Sequence, residues 1–490
     1  NIVIEKPRFT LLILTLLLLT FGYFSKNFQL DASTDTLLLE NDPDLKYLRE
    51  VNSKYGAKEF LILTYTPKDD LLDSGTIENL TNLKNELKNL SWVNNVITIL
   101  DVPLLKNNDD PLSERIKNFK TLSSEDVDKE RGFNEILNSP VFKNFVISED
   151  GKTTGIIVNI KKDEISKELK SKKEIENYKD SLKKKNHENI IQIREIIKTF
   201  SQVGKIHLGG IPMIADDMMS FIKSDIIVFG IGVLLFIIGT LWFVFRKTIW
   251  IIVPISSCFF SVIIMMGILG LLGWKVTVIS SNFIALMLIL TMAMNIHMST
   301  RFLQIKEIHP NKKIIELITL TTNKMFWPIL YTALTTIIAF LSLIFSEIKP
   351  IIDFGWMMTL GLITSFIITF TLLPSLINFM PEEKIFLKKQ EVSKITSFFA
   401  QVSLNNHKTI FTLTIVVIIL SLIGISKLEV ENSFINYFSK KTEIYKGMKL
   451  IDEKLGGTTP LEVILKFPKK EKIKEDDEDE FEDWGNENEK

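Results

Sequence analysis

Seven blocks of this sequence are long and apolar enough to cross a hydrocarbon layer about 30 Å thick, which a helix does with about 20 mostly apolar residues. They run roughly over Phe9–Phe24, Ile226–Phe245, Ile251–Leu272, Val276–Met298, Met325–Ile344, Phe354–Phe379 and Thr409–Ile425. Core helices of soluble domains carry a polar face, and these blocks do not. The hydrophobic share of 46% is ordinary for a globular chain, but here it is concentrated in the blocks while the 24% of charged residues fills the gaps. The first block follows Glu5, Lys6 and Arg8 and continues into Ser25-Lys26-Asn27-Phe28. No small-x-small cleavage site follows, so it reads as an uncleaved span rather than a signal peptide.

Basic residues orient the spans, because loops on the cytoplasmic side carry the excess of Lys and Arg. Arg8 precedes the first span, and Arg246 and Lys247 sit between the second and third. Arg301, Lys306, Lys312, Lys313 and Lys324 lie between the fourth and fifth, and Lys384, Lys388, Lys389, Lys394 and Lys408 between the sixth and seventh. The remaining turns hold one lysine each, Lys275 and Lys349. The long segment from Ser25 to Ser220 is therefore expected outside. Trp242, Trp250, Trp274, Trp327 and Trp356 fall near span ends, as an interfacial aromatic belt requires. The expected division is 1–24 for the cytoplasmic N-terminus and first span, 25–220 for the outer domain, and 221–380 for a five-span bundle. Residues 381–408 then form a cytoplasmic linker, 409–426 the seventh span, and 427–490 the start of a second outer domain with an acidic tail, Glu475 to Glu480. The linker sets Ile385, Phe386, Leu387, Val392, Ile395, Phe398 and Phe399 among lysines, a pattern that suits an amphipathic helix on the inner leaflet.

The outer segment alternates strand and helix patterns. Phe60–Tyr65, Val93–Leu100, Thr154–Ile160 and Ile206–Leu208 read as strands, Ile77–Leu90 as a helix and Ile175–Phe200 as one or two helices. Two β-α-β groups predict small α+β subdomains of the split β-α-β kind. A repeat joins this region to the end of the chain: Lys54-Tyr55-Gly56 aligns with Lys454-Leu455-Gly456, each following an apolar span, an extended segment and a helix. One full unit and the beginning of a second are expected, from a parent of roughly 800 residues with its pathway between two halves; the first residue, Asn1, fits a fragment.

Several functions find no support. The net charge of -1 offers nothing to nucleic acid, and the single Cys258 leaves no disulfide framework or Cys-rich metal site. No G-x-x-x-x-G-K-[ST], H-E-x-x-H or G-x-S-x-G occurs. No enzyme activity, cofactor or metal is expected.

The order of one span, a large outer α+β domain, five clustered spans, a cytoplasmic link and a second copy resembles the RND superfamily, and most closely its MMPL-type, hopanoid-exporter-like branch. Local stretches support it. Gly209-Gly210-Ile211-Pro212 leads into Ser220-Phe221-Ile222-Lys223-Ser224-Asp225, and the fourth span ends Ile296-His297 with Arg301-Phe302 behind, like the family's I-H-x-x-x-R-[FY]. The resemblance implies a multi-span α-helical protein of the bacterial inner membrane with a periplasmic porter domain. It also implies proton-coupled movement of lipid or other hydrophobic or amphiphilic cargo. Expected partners are that cargo and the membrane lipids, not nucleic acid; a homo-oligomer (dimer or trimer) and periplasmic partners are compatible with the architecture. One departure stands out: where proton-driven members of the family usually carry an acid in the fourth span, at a position that falls at about Ala293, this chain reads Met292-Ala293-Met294-Asn295. That loss favours the alternative of a non-transporting lipid sensor or protein-secretion accessory.

The candidate transport residues are Asp225, Lys223, Asn295, His297 and Asp353. Ser281, Thr291, Asn295 and Ser299 fall within about 40° of one line at 100° per residue, so Asn295 is either interhelical glue or the neutral remnant of a coupling site. His297 has an ordinary pKa of about 6.5, suited to a relay, or it packs at the interface beside Arg301. Lys223 and Asp225 stand at the outer mouth of the second span, where they contact headgroups, titrate, or form a local ion pair. Asp353 enters the sixth span after Pro350 and is positioned to cap it.

Overall fold

The computed structural model describes residues 2–31, 43–55, 60–106, 119–161, 171–380, 394–429 and 434–457. The acidic tail and the first part of the linker ahead of the seventh span, residues 381–393, lie outside these residues.

After a one-turn helix, Ile2–Glu5, the first span α1 (Pro7–Phe24) leads to a short strand β1 (Gln29–Leu30) and helix α2 (Pro43–Tyr55). An α+β domain follows: β2 (Phe60–Pro67), α3 (Ser74–Lys88), β3 (Val93–Ile97), α4 (Lys129–Leu137), β4 (Thr154–Ile160), α5 (Lys172–Thr199) and β5 (Gly204–Gly209). Five helices then pack as a bundle: α6 (Ile211–Phe245), α7 (Ile249–Leu272), α8 (Phe283–Ile308), α9 (Ile314–Leu341) and α10 (Lys349–Asn378). Strand β6 (Lys275–Val276) lies between α7 and α8. The described chain closes with α11 (Lys394–Asn405), α12 (His407–Ile425) and α13 (Glu443–Lys454). Among the described residues seven helices, α1, α6 to α10 and α12, are long and apolar enough to cross a membrane, one for each of the seven blocks of the sequence.

The four strands form one antiparallel sheet in the order β3-β4-β2-β5. The two predicted β-α-β groups therefore interleave rather than stand apart, since β4 enters between β2 and β3; this is the split arrangement in a single layer. Alternation along β2 sends Leu61, Leu63 and Tyr65 to one face beside Ile156, Val158 and Leu208. Helices α3 and α5 cover that face with Leu80, Leu83, Leu87, Ile190 and Ile193, all buried. The opposite face holds Ile62, Thr64, Gly155 and Gly209, and here α13 docks. A methyl group on Gly209 would come within 2.6 Å of Ile451, and one on Gly447 of α13 within 2.3 Å of the Leu208 carbonyl. Only hydrogen at these positions lets the helix approach so near.

Three spans begin elsewhere than their hydropathy suggests; one of them, α9, starts at Ile314 rather than Met325. Helix α6 starts at Ile211, fifteen residues before the apolar block, because Gly210 at φ 120° turns β5 directly into it and Pro212 sits in its first turn. Its first turns place Met213, Ile214, Met218 and Ile222 in the sheet-domain core, so one rod of 35 residues joins domain to bundle. Helix α8 starts at Phe283, not Val276. Val276 lies in β6, paired in parallel with β1, and the backbone N–H of Thr277 donates to Ser280 Oγ at 2.8 Å. The β-branched run Val276-Thr277-Val278-Ile279 and its serines favour strand and turn there.

Within the bundle α7, α8 and α10 are the most buried. Helix α1 lies on α7 over Gly267 and Gly270, where a Cβ would meet the carbonyls of Phe21 and Phe24 at 2.2 Å, a small-residue contact typical of membrane helices. Helix α12 buries no residue among the described ones.

Candidate functional site

A groove of about 620 Å³ runs between α6 and α8. Its walls are Val228, Phe229, Gly232, Val233, Phe236, Ile237 and Thr240 from α6, and Ile289, Met292, Ala293 and Ile296 from α8. Thr240 is its one polar lining residue, and its hydroxyl donates back to the Phe236 carbonyl at 2.9 Å. The groove exists because small residues, Gly232 and Ala293, stand where a larger side chain would fill it. Such a surface holds an apolar chain or ring and has nothing with which to bind an ion or carry out acid–base chemistry.

Opposite the groove, α8 faces α7 and α10 through a polar seam. Thr291, Asn295 and Ser299, four residues apart, are fully buried, as are Ser257 and Ser261 on α7 and Ser365 and Thr369 on α10. Ser257 donates to Asn295 Oδ1 at 3.3 Å, and Asn295 Nδ2 donates to the Pro254 carbonyl at 3.2 Å. Thr291 and Ser365 share a hydrogen bond at 2.7 Å. The hydroxyls of Ser299, Thr359 and Thr369 have no partner among the described residues. Asn295 is thus hydrogen-bonded from α8 to α7. Of the predicted polar line, Ser281 alone falls outside the helix, in the turn before α8, where it bonds to the Val278 carbonyl at 2.8 Å.

A second cluster joins the bundle to the domain. Asp216 and Asp217, both nearly buried in the first turns of α6, meet α5: His187 Nδ1 lies 2.8 Å from Asp216 Oδ1, and Arg194 Nη2 donates to both oxygens of Asp217 at 2.8 Å. Arg194 Nε also donates to Glu443 of α13 at 3.0 Å. Burial works against the Arg194 charge, and Asp217 and Glu443 more than offset it, holding the guanidinium above its ordinary range. Lys454 at the other end of α13 pairs with Asp150 at 2.7 Å. Under α13, burial pushes the His207 imidazole below its ordinary range. The sequence reading missed this clamp. The signal was present as an adjacent acid pair, Asp216-Asp217, between apolar residues, with Arg194 flanked by Ile193 and Ile196-Ile197 on α5.

The structure does not gather the five candidate residues into one place. Ala293, at the position expected to be acidic, lines the groove, whereas Asn295, about 200° further round α8 at 100° per residue, faces the seam. His297 is exposed, one turn beyond Ala293 on the groove side of α8. Asp225 is half-buried on α6 one turn before Val228. Lys223 is exposed about 160° round the helix from Asp225, so the two do not face each other as an ion pair. Asp353 does not cap its helix: α10 begins at Lys349 after Ile348, which leaves Asp353 in the second turn.

The model of the MMPL family matches residues 73–406, about two thirds of the chain, from α3 through the five-helix bundle to the residue before α12. The chain is also similar to membrane protein MJ1562 of Methanocaldococcus jannaschii, with 22% identity over 385 residues that cover 76% of this chain and 90% of the relative. The matched segment includes three of the four strands of the split sheet (β3, β4 and β5), the groove and the polar seam, and by that match the chain belongs to the MMPL family.

Proposed function

We propose that this protein is an RND-type transporter that moves lipid or other hydrophobic or amphiphilic molecules across or out of a bacterial inner membrane. The observation that carries the reading is the groove between α6 and α8. It is lined almost wholly by apolar side chains, lies in the part of both helices that crosses the membrane, and follows directly on the rod that joins the bundle to the sheet domain. Cargo takes its apolar part into that groove, and the sheet domain, on the periplasmic side, receives it. The proton gradient is the proposed energy source. With alanine at residue 293, Asp225 stands one turn before Val228 at the groove's domain end and His297 one turn beyond Ala293 at its far end.

Comparison of inner- and outer-membrane lipids before and after deletion of the gene tests the proposal. A lipid that accumulates in the inner membrane and is depleted outside it supports transport and names the cargo. An unchanged distribution refutes transport. It would favour the second reading, a lipid sensor or secretion accessory, for which the apolar Ala293 is the specific observation.

A further inference from the structure

The groove has a polar end. At 100° per residue, Asp225, Phe229, Gly232 and Phe236 lie within about 40° of one line along α6, and the last three line the groove. Asp225 therefore continues the groove's own stripe one turn toward the sheet domain. It is half-buried, between Phe221, which is exposed, and Ile226, which packs on the domain core. Among the described residues its carboxylate has neither a hydrogen-bond nor an ion-pair partner. A half-buried carboxylate without a protein partner keeps its acceptor capacity for a ligand's donors. Lys223 is no candidate, since it projects from the opposite side of α6. The charge stands where the headgroup of a molecule lying in the groove would emerge, and a carboxylate only accepts hydrogen bonds.

We propose that the groove takes an amphiphile with an ammonium-bearing headgroup, its apolar chain against Gly232 and Ala293 and its ammonium on Asp225. This rests on the groove being the cargo site and adds the class of headgroup. A phosphate or sulfate headgroup would place like charges together at the mouth. An ammonium supplies both the charge and the N–H donors that Asp225 lacks, and a charge-assisted hydrogen bond of that kind is stronger than a neutral one.

Binding of hexadecylamine and hexadecyl sulfate, identical in chain, to the full chain in uncharged glycoside micelles tests the proposal. The amine is expected to bind about tenfold more tightly than the sulfate at neutral pH. Asp225→Asn should abolish that preference and Asp225→Glu should keep it. Gly232→Phe, which fills the groove, should weaken both amphiphiles. Equal or stronger binding of the sulfate, or a preference that survives Asp225→Asn, overturns the headgroup assignment while leaving the groove as cargo site. If Gly232→Phe affects neither amphiphile, the groove itself is wrong, and the transport reading loses its support.

Discussion

Arg194 is expected to control whether α13 stays on the sheet. Its guanidinium donates to both oxygens of Asp217, which is 9% exposed, and to Glu443 of α13. Arg194→Met keeps most of the aliphatic stem and removes the charge, leaving two carboxylates facing each other across the contact. Removing one partner of a buried ion pair costs about 3–5 kcal/mol. Arg194 retains 31% of its side-chain exposure, so solvent screening lowers this to about 2–3 kcal/mol. The apolar anchors Ile444, Met448 and Ile451 remain, and the expected effect is faster opening, not loss of fold. Amide hydrogen exchange across Ile444 to Ile451 reads that opening directly. An increase of about 30- to 150-fold is expected, at about 1.4 kcal/mol per factor of ten. Asp217→Asn in the Arg194→Met background removes the stranded charge and should recover most of the protection. Glu443→Gln should recover less, because Glu443 is closer to solvent. Exchange unchanged by Arg194→Met, or no recovery with Asp217→Asn, would refute the argument that buried charge pairing holds this helix.

Gly267→Leu should separate α1 from α7 and lower thermal stability by about 1–3 kcal/mol, the range for overpacking; Gly232→Ala, with nothing within 4 Å of its added methyl, should leave the melting temperature unchanged. Thr369→Val should be neutral or stabilising, since the hydroxyl it removes is buried without a partner among the described residues; a loss above about 1 kcal/mol would show that the hydroxyl is bonded in the membrane. His207 sets a pH dependence. Burial depresses its pKa in the fold, so below the ordinary value of about 6.5 the unfolded chain binds more protons than the folded one. Its contribution is therefore complete above about pH 6.5 and is lost as pH falls from there toward the depressed folded value. Protection of α13, corrected for the pH dependence of intrinsic exchange, should fall as pH drops below about 6.5, with Glu443 opposing and Lys446 and Lys205 reinforcing the effect, and His207→Gln should flatten the profile.

What could be read from the sequence followed from how local each cause was. The spans were legible because a helix that crosses lipid satisfies its own backbone and needs only an unbroken apolar run. Strand β2 and helix α3 were legible from their own periodicity. The start of α6 was not, because it depends on Gly210 adopting φ 120° against the Phe60 carbonyl, a contact 150 residues away in the chain. The start of α8 depends similarly on β1 pairing with Val276. The likeness of Lys54-Tyr55-Gly56 to Lys454-Leu455-Gly456 was visible in the sequence, but not that α13 would dock on the four-stranded sheet. That contact requires Gly155, Gly209 and Gly447 to come together from three elements. The clamp was hidden for the same reason: Arg194 and Glu443 are separated by 249 residues.

The same geometry gives two meanings of Asn295 different measurable consequences. Were it the displaced remnant of a coupling acid, it would have to share a face with Ala293, where the acid is expected. Two residues on a helix differ by about 200°, and the structure puts Ala293 in the groove wall and Asn295 in the seam. The two positions should therefore fail in different ways. Ala293→Phe projects into open space, so the fold should survive with an unaltered melting temperature while cargo binding is lost. Asn295→Leu removes the bonds to Ser257 and the Pro254 carbonyl, buried contacts worth about 0.6 kcal/mol each in membrane bundles, and strands the Ser257 hydroxyl. It should lower stability by about 1–3 kcal/mol and leave the groove able to bind the same amphiphile. Melting temperature and amphiphile affinity, measured on both variants, separate these outcomes. If Asn295→Leu abolished binding at unchanged stability, Asn295 would belong to the cargo pathway after all, and the division of α8 into a groove side and a packing side would be wrong.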